Sequence, residues 1–324
     1  MTAFIEKLKK SGLKGRGGSG FPTFEKWQTV LMTKAEQKYL VCNGAEGEPG
    51  VKKDHYILAN YPEIVIEGIK IGLETFEKSK AIIYLKSNYY REFGGKLKEL
   101  IGDLPIGLFE KKGGYLAGEE TTIVSILEGG LAEPKGKPPY PCKAGINGCP
   151  TLVNNVETWY HIAKIDKGEY KKSRFFTIGG KVKNPGVWER DEKYPINKLL
   201  KETDNYPDFD FFVQSGGEIS GEILLPSELK QTARGQGAII VYNREETDGW
   251  ELMQKWINFF HQENCDKCTP CREGVYRIKE MFDKKIFDQK VLKDIFYVLD
   301  KTSFCSLGKV VSIPIKSFYQ KIGL

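Results

Sequence analysis

Cys265-Asp266-Lys267-Cys268-Thr269-Pro270-Cys271, with the remote Phe304-Cys305-Ser306-Leu307-Gly308 behind it, sets how the last part of this chain must fold. Three cysteines at C-x2-C-x2-C spacing can wrap a short loop around one face of a cubane. The fourth iron is then left for a thiolate brought in by tertiary structure, which suits a [4Fe–4S] cluster. Structural zinc is the other reading of the same thiols, but such sites draw on two knuckles, and here no second C-x2-C or H-x3–5-H follows and the only nearby imidazole is His261. The loop is flanked by amphipathic stretches. Leu252, Trp256, Phe259 and Phe260 line one face before it and Val275, Ile278 and Phe282 line one after it, so the chain from Asp248 onward reads as helices holding the cysteine loop between them.

Upstream, Tyr39-Leu-Val-Cys42 and Ala81-Ile-Ile-Tyr-Leu85 read as short buried strands, and Val65, Ile69, Leu73 and Phe76 recur at helical spacing between Ile64 and Phe76. The first half is therefore α/β. Apolar periodicity stops at Lys167-Gly-Glu-Tyr-Lys-Lys-Ser173, which marks a boundary. Beyond it Phe175–Gly180 and Gly186–Glu189 flank the turn at Asn184-Pro185. Ile196–Lys201 then reads as a helix, and Phe211–Gln214 and Ala238–Tyr242 as returning strands, a small mixed β/α unit.

The 324 residues suffice for two or three domains with their own cores. A net charge of +6, spread among 28% charged residues without a basic block, argues against nucleic acid as a partner. The charged start Met1-Thr-Ala-Phe-Ile-Glu-Lys and the lack of any long apolar run predict a cytoplasmic protein, peripheral to a membrane complex at most and not inserted in the bilayer. Seven cysteines, three of them clustered, fit reduced thiols and metal ligation better than disulfides; Cys42, Cys142 and Cys149 lack ligand spacing and read as ordinary small thiols.

Gly15-Arg16-Gly17-Gly18-Ser19-Gly20 matches G-x-G-x-x-G, yet it follows Lys9, Lys10, Ser11 and Lys14 rather than a buried strand, so the dinucleotide fingerprint fails on context. What remains is a glycine loop able to crowd backbone N–H groups against an anion or a flat ring, with Arg16 and Lys26 adding charge. Three more segments are rich in carboxylates and amides: Asn43–Gly50, Tyr115–Thr121 and Val153–Thr158. Carboxylates suit ribose hydroxyls and repel a 2′-phosphate, while Asn side chains suit a flavin rim. Gly118-Glu119-Glu120-Thr121 reads equally well as the acidic start of a helix.

Taken in this order, together with Lys137-Pro-Pro-Tyr-Pro141 and Glu263–Gly274, these segments resemble the NADH-binding flavoprotein subunit of respiratory complex I and its soluble relatives in NAD-linked hydrogenases and formate dehydrogenases. The resemblance covers nearly the whole chain. It implies a Rossmann-like FMN- and NADH-binding α/β domain over residues 1–167, a ubiquitin-like β-grasp domain over 168–245 and a helical [4Fe–4S] bundle over 246–324. By position, FMN falls to Gly15, Arg16, Gly17, Lys26, Asn43, Tyr115, Gly118, Val153, Asn154, Asn155 and Thr158. NADH falls to Phe21, Glu46, Glu48, Glu119, Glu120, Lys137 and Tyr140, and the cluster to Cys265, Cys268, Cys271 and Cys305. The implied activity is hydride exchange between NADH and FMN, with NADH favoured over NADPH, and single-electron exchange between FMN and the cluster, with no side chain acting as acid or base.

Ala45 stands where relatives usually carry Asp, and Thr29 replaces an aromatic expected against the adenine. The family's leading segment and any fused [2Fe–2S] module are missing from this sequence. The expected partners are therefore other redox subunits, a thioredoxin-like [2Fe–2S] subunit and a further Fe–S subunit. Two readings of other classes fit part of the same residues: an electron relay that keeps the cluster without NADH, and a zinc-stabilised interaction module.

Overall fold

The computed structural model describes residues 3–323. Two amphipathic helices, α1 (Ala3–Ser11) and α2 (Thr23–Met32), precede the first strand and bury Phe4, Ile5, Leu8, Trp27 and Val30. There follow β1 (Lys38–Gly44), α3 (Lys53–Asn60), α4 (Pro62–Thr75), β2 (Ser79–Lys86), α5 (Ser87–Ile101), β3 (Ile106–Lys111), α6 (Glu120–Leu127), β4 (Thr151–Asn155) and α7 (Val156–Asp166). The four strands form one parallel sheet in the order β3-β2-β1-β4. Its central strand carries Leu40, Val41 and Cys42, all buried, as a strand covered on both faces requires. Proline at the first turn starts α4, and Val65, Ile66 and Ile69 turn inward. Gly68 lets α4 lie directly on the carbonyl of Trp159 in α7; any side chain there would overlap that backbone.

The chain then builds a second, mixed sheet: β5 (Ser173–Gly180), β6 (Gly186–Asp191), α8 (Ile196–Glu202), β7 (Phe211–Gly216), β8 (Glu222–Leu224) and β9 (Ala238–Asn243), ordered β6-β5-β9-β7-β8. Only the β5–β9 pair is parallel. The last stretch is helical, α9 (Gly249–Gln262), α10 (Thr269–Asp283), α11 (Gln289–Thr302), α12 (Ser306–Val310) and α13 (Ser312–Lys321). Asp248 and Asp288 cap α9 and α11 by accepting from the first backbone N–H groups, which ends the preceding turns cleanly. The cores are not sealed from one another. Leu116, Phe212, Ile219 and Ile223 pack with Trp256, Phe260 and Phe318 of the helices, and Phe175 of β5 packs into the core of the first sheet. Among the described residues no helix is long and apolar enough to cross a membrane.

Candidate functional site

The strand order reverses at β1, whose neighbours are β2 on one side and β4 on the other, so a crevice opens where the carboxyl ends of β1 and β4 diverge. Asn43 and Asn155 stand paired at those ends. Asn43 donates from Nδ2 to the Gly118 carbonyl at 3.0 Å and accepts from Ala45 N at 3.1 Å, tying β1 to the turn before α6. Asn155 caps α7 and donates to the Asn43 carbonyl. Asn154 faces inward and, with its amide oriented to satisfy both atoms, accepts from Trp27 Nε1 at 3.1 Å. The glycine loop closes over this end: Gly15 N donates to Phe21 O, Arg16 N donates to Thr158 Oγ1 at 3.0 Å, and a Cβ on Gly17 would lie 3.5 Å from the Cβ of Asn155. Gly18 and Gly20 hold positive φ, the left-handed backbone that favours glycine. The structure thus gathers Gly15, Gly17, Asn43, Gly118, Val153, Asn155 and Thr158 around one crevice whose wall is largely backbone.

Several expected contacts are placed otherwise. The Arg16 guanidinium turns away from the crevice and donates to Glu192 at 2.7 Å, the Ser173 carbonyl and Tyr170, so only the backbone of residue 16 faces the loop. Glu46 is buried as a cap on α3, accepting from Asp54 N, His55 N and Tyr89 Oη. Glu48 is buried as well, accepting from Ile219 N, Ser220 N, Ser220 Oγ and Tyr115 Oη. Both carboxylates thus hold structural partners within the protein in addition to the ribose contact expected of them. Glu119 caps α6 through Thr121 N and Thr122 N. Lys137 bridges Glu119 and Glu120 at 2.8 and 2.9 Å, and Lys26 completes the set with Glu120 at 2.7 Å. Burial opposes the charge on Glu120, but the two lysines outweigh it and hold its carboxyl below the usual range. Two lysines against two glutamates leave this patch neutral, so the expected surplus of acidic charge is absent. Phe21 and Tyr140 stay 44% and 51% exposed, large apolar faces turned to solvent. Thr29 returns its hydroxyl to the Glu25 carbonyl of its own helix.

Behind the crevice lies a charge network that residue patterns did not disclose. Lys53 is wholly buried and satisfied by Asp54 at 2.6 Å, Asn155 Oδ1 at 2.8 Å and Glu157 at 3.3 Å. Burial pushes Asp54 up to about 7, against the pull of Lys53. Glu157 is buried too, yet Lys53, His161 and Arg16 hold it well below the usual carboxylate range. The available signal was Lys53-Asp54 preceding Ile57-Leu58 at the spacing that puts all four on the inner face of α3.

The four cysteines of the C-terminal pattern come together. Cys268 stands at the N-terminal cap position of α10, Cys271 lies in its first turn, and Cys305 stands at the N-terminal cap position of α12. Burial, then the fields of Cys268, Cys305 and Cys265, pushes the Cys271 thiol up to about 12. Burial likewise pushes the Cys305 thiol up. Among the described residues no three metal-binding side chains sit tightly enough to hold a single ion. Three thiolates from one loop and a fourth from the start of α12 are the donor set that a [4Fe–4S] cluster takes, and Gly308 packs so closely on Ser303, beside Cys271, that any side chain there would overlap it. The two sites are neighbours. Glu263, just ahead of Cys265, accepts from Tyr115 N at 2.7 Å, and Tyr115 opens the turn that ends at Gly118, the partner of Asn43.

A crevice at a sheet's switch point beside a four-thiol loop defines a redox subunit with two adjoining centres, and comparison with known proteins agrees. Residues 8–164 match the model of the Nuo51 FMN-binding domain, and residues 251–322 that of the NADH-ubiquinone oxidoreductase-F iron-sulfur binding region. An NADH-quinone oxidoreductase subunit of Aquifex aeolicus is 31% identical over 98% of this chain and 83% of its own length. The NADP-reducing hydrogenase subunit HndC of Solidesulfovibrio fructosivorans is 31% identical over 97% of this chain and 73% of its own. A crystal structure of an NAD+-reducing [NiFe]-hydrogenase in the H2-reduced state superposes with a TM-score of 0.91 at 27% identity over 98% of this chain; the chain spans 61% of that one. This chain belongs to the NADH-ubiquinone oxidoreductase-F family of FMN-binding, iron–sulfur subunits.

Proposed function

We propose that this chain is the NAD(H)-linked FMN and [4Fe–4S] subunit of a larger redox complex. When bound, FMN exchanges a hydride with the nicotinamide and exchanges electrons singly with a cluster. The chain's own groups bind and orient. The glycine loop, Thr158 and the Asn155-capped start of α7 offer backbone and side-chain donors to a phosphate, while Asn43, Tyr115 and Gly118 flank the ring end. Phe21 and Tyr140 offer faces for stacking at the mouth. Lys137 and Lys26, already paired with Glu119 and Glu120, offer no spare cation to a 2′-phosphate, which supports NADH over NADPH. No side chain is needed to hold or move a proton in the hydride step.

The observation that carries this reading is the shared contact between the two centres: Tyr115 at the crevice wall is bonded to Glu263 beside the cysteine loop. Electrons leaving the crevice have a protein path of a few residues. The strand order β6-β5-β9-β7-β8 around α8 supports a β-grasp unit over 168–245, between a nucleotide domain over 1–167 and a cluster bundle over 246–324. Partners with their own Fe–S centres, one of them a thioredoxin-like [2Fe–2S] subunit, and a cytoplasmic or membrane-peripheral setting belong to the same proposal.

The test is anaerobic purification followed by metal and cofactor analysis and titration with NADH. About four irons and one FMN per chain, with flavin absorbance bleached by NADH, are expected. Zinc in place of iron overturns the cluster assignment. Bound FMN that NADH fails to reduce overturns the dehydrogenase reading in favour of a relay without nucleotide binding.

A further inference from the structure

Two lysines are buried at the carboxyl side of the first sheet, and they differ in one respect. Lys53 is surrounded by Asp54, Glu157 and Asn155. Lys111, at the end of β3 and 6% exposed, has no ion pair among the described residues; its Nζ reaches only the Ala45 carbonyl, at 3.5 Å. The carboxylate whose field reaches it, Glu263, is occupied by Tyr115 N, and Lys86, its register partner on β2, adds like charge. An ammonium has three donors, and burying it without acceptors is costly. The site is built for an acceptor that no side chain of this protein supplies.

The position identifies the acceptor. The side chain of Lys111 runs along the carboxyl edge of the sheet to Ala45, and Ala45 lies against Gly118, where an added Cβ would be 3.2 Å from the Cβ of Ala45. Lys111 stands on β3, on the side of β1 away from β4, whose end carries Asn155, one of the groups suited to a phosphate. Resting on the reading that FMN fills the crevice, we propose that Lys111 is a potential-setting residue for that flavin, its ammonium held at the ring end to stabilise negative charge on the reduced ring. Accepting a hydride from NADH brings two electrons and one proton, yields NAD+, and leaves a neutral ring with a charge of −1 unless a second proton arrives. A fixed cation favours that anion over the oxidised form and tightens binding of reduced over oxidised FMN. Burial, then Lys86, lowers Lys111 to about 8 with Glu263 opposing, so it remains largely protonated at neutral pH.

The experiment compares the wild-type holoprotein with Lys111→Met, Lys111→Arg and the exposed neighbour Lys112→Met, which removes the same charge outside the crevice. Dissociation constants are measured for oxidised and dithionite-reduced FMN, the potential by dye equilibration, and iron content as the check on folding. Lys111→Met should lower the preference for reduced flavin about tenfold, a shift of about 30 mV to more negative potential for the two-electron couple. Lys111→Arg and Lys112→Met should stay within about threefold of wild type, under about 15 mV by the same conversion. If Lys111→Met retains FMN and iron with an unchanged preference, or Lys112→Met shifts it equally, the proposal is wrong while the flavin assignment stands. A wild type that binds no FMN removes both. Should the methionine variant be isolated with iron but no flavin, Lys111→Gln decides by the same criterion.

Discussion

Replacing Glu48 by alanine tests whether that carboxylate is a nucleotide contact or a structural tie. In the structure it accepts from Ile219 N at 3.0 Å, Ser220 N at 2.9 Å, Ser220 Oγ at 3.0 Å and Tyr115 Oη at 2.8 Å, and so joins the loop after β1 to the connection between β7 and β8. Alanine strands two backbone N–H groups and two hydroxyls at a buried junction. Each hydrogen bond to a charged group contributes about 1.5–3 kcal/mol, and the hydroxyls can rotate toward other acceptors, so a total of about 3–5 kcal/mol is expected. At about 2 °C per kcal/mol for a chain of this size, the first thermal transition should fall by about 6–10 °C. Circular dichroism melts at fixed ionic strength measure this, with Glu48→Gln intermediate because one amide oxygen replaces two carboxylate oxygens. KM for NADH should change less than threefold below the transition. A melt within about 1 °C of wild type together with a tenfold rise in KM would refute the structural role and return Glu48 to the ribose.

Cys268→Ser should abolish the broad visible absorbance and the bound iron while leaving FMN in place, as optical spectra and iron analysis would show. Gly17→Phe should expel FMN, whereas Gly17→Ala should retain it, because a Cβ at 17 meets Asn155 at an ordinary 3.5 Å and only a larger group enters the crevice; flavin-to-protein ratios decide. Glu120→Ala leaves Lys26 and Lys137 with a surplus positive charge worth about 1–2 kcal/mol near a phosphate, so kcat/KM for NADPH relative to NADH should rise about tenfold in a ferricyanide assay. His161→Gln should lose less stability than wild type between pH 7 and 5. Burial lowers the folded pKa of His161 below its unfolded value near about 6.5, so on acidification the unfolded chain takes the proton first and stability falls below that pH. Asp54, raised in the folded state, works the opposite way in both proteins, so the difference between their denaturant midpoints isolates the imidazole.

What could be read in the sequence was whatever one short stretch determines by itself. Tyr39–Cys42 and Ala81–Leu85 are apolar runs with one solution, and both are strands; Asp248 ahead of an amphipathic run marked the start of α9, and the cysteine spacing gathered into one loop capped by its own helix. Gly118-Glu119-Glu120-Thr121 carried two readings, and the helix start is the one the fold displays, for Glu119 caps α6 while Glu120 pairs with Lys26 and Lys137. The structural partners of Glu46 and Glu48 were not legible, because an acidic residue in a glycine-rich loop looks solvated until the chain returns. Their partners lie at Asp54 and Tyr89 for one, and at Ile219 and Ser220 for the other, and no local pattern announces an acceptor for a backbone N–H some 170 residues away.

The same limit hid Lys111, and here the physics yields more than a correction. In sequence it sits in Glu110-Lys111-Lys112-Gly113, indistinguishable from a solvated pair of lysines. Lys111, the last residue of β3, turns inward on the same face as Phe109, while Lys112, just past the end of the strand, faces water. Once inward, its ammonium has no carboxylate of its own among the described residues, whereas Lys53, buried more deeply still, has three partners. A fold that satisfies one buried lysine completely and leaves another with a single marginal carbonyl has not run out of acceptors; it has left that charge for an acceptor that enters from outside the chain.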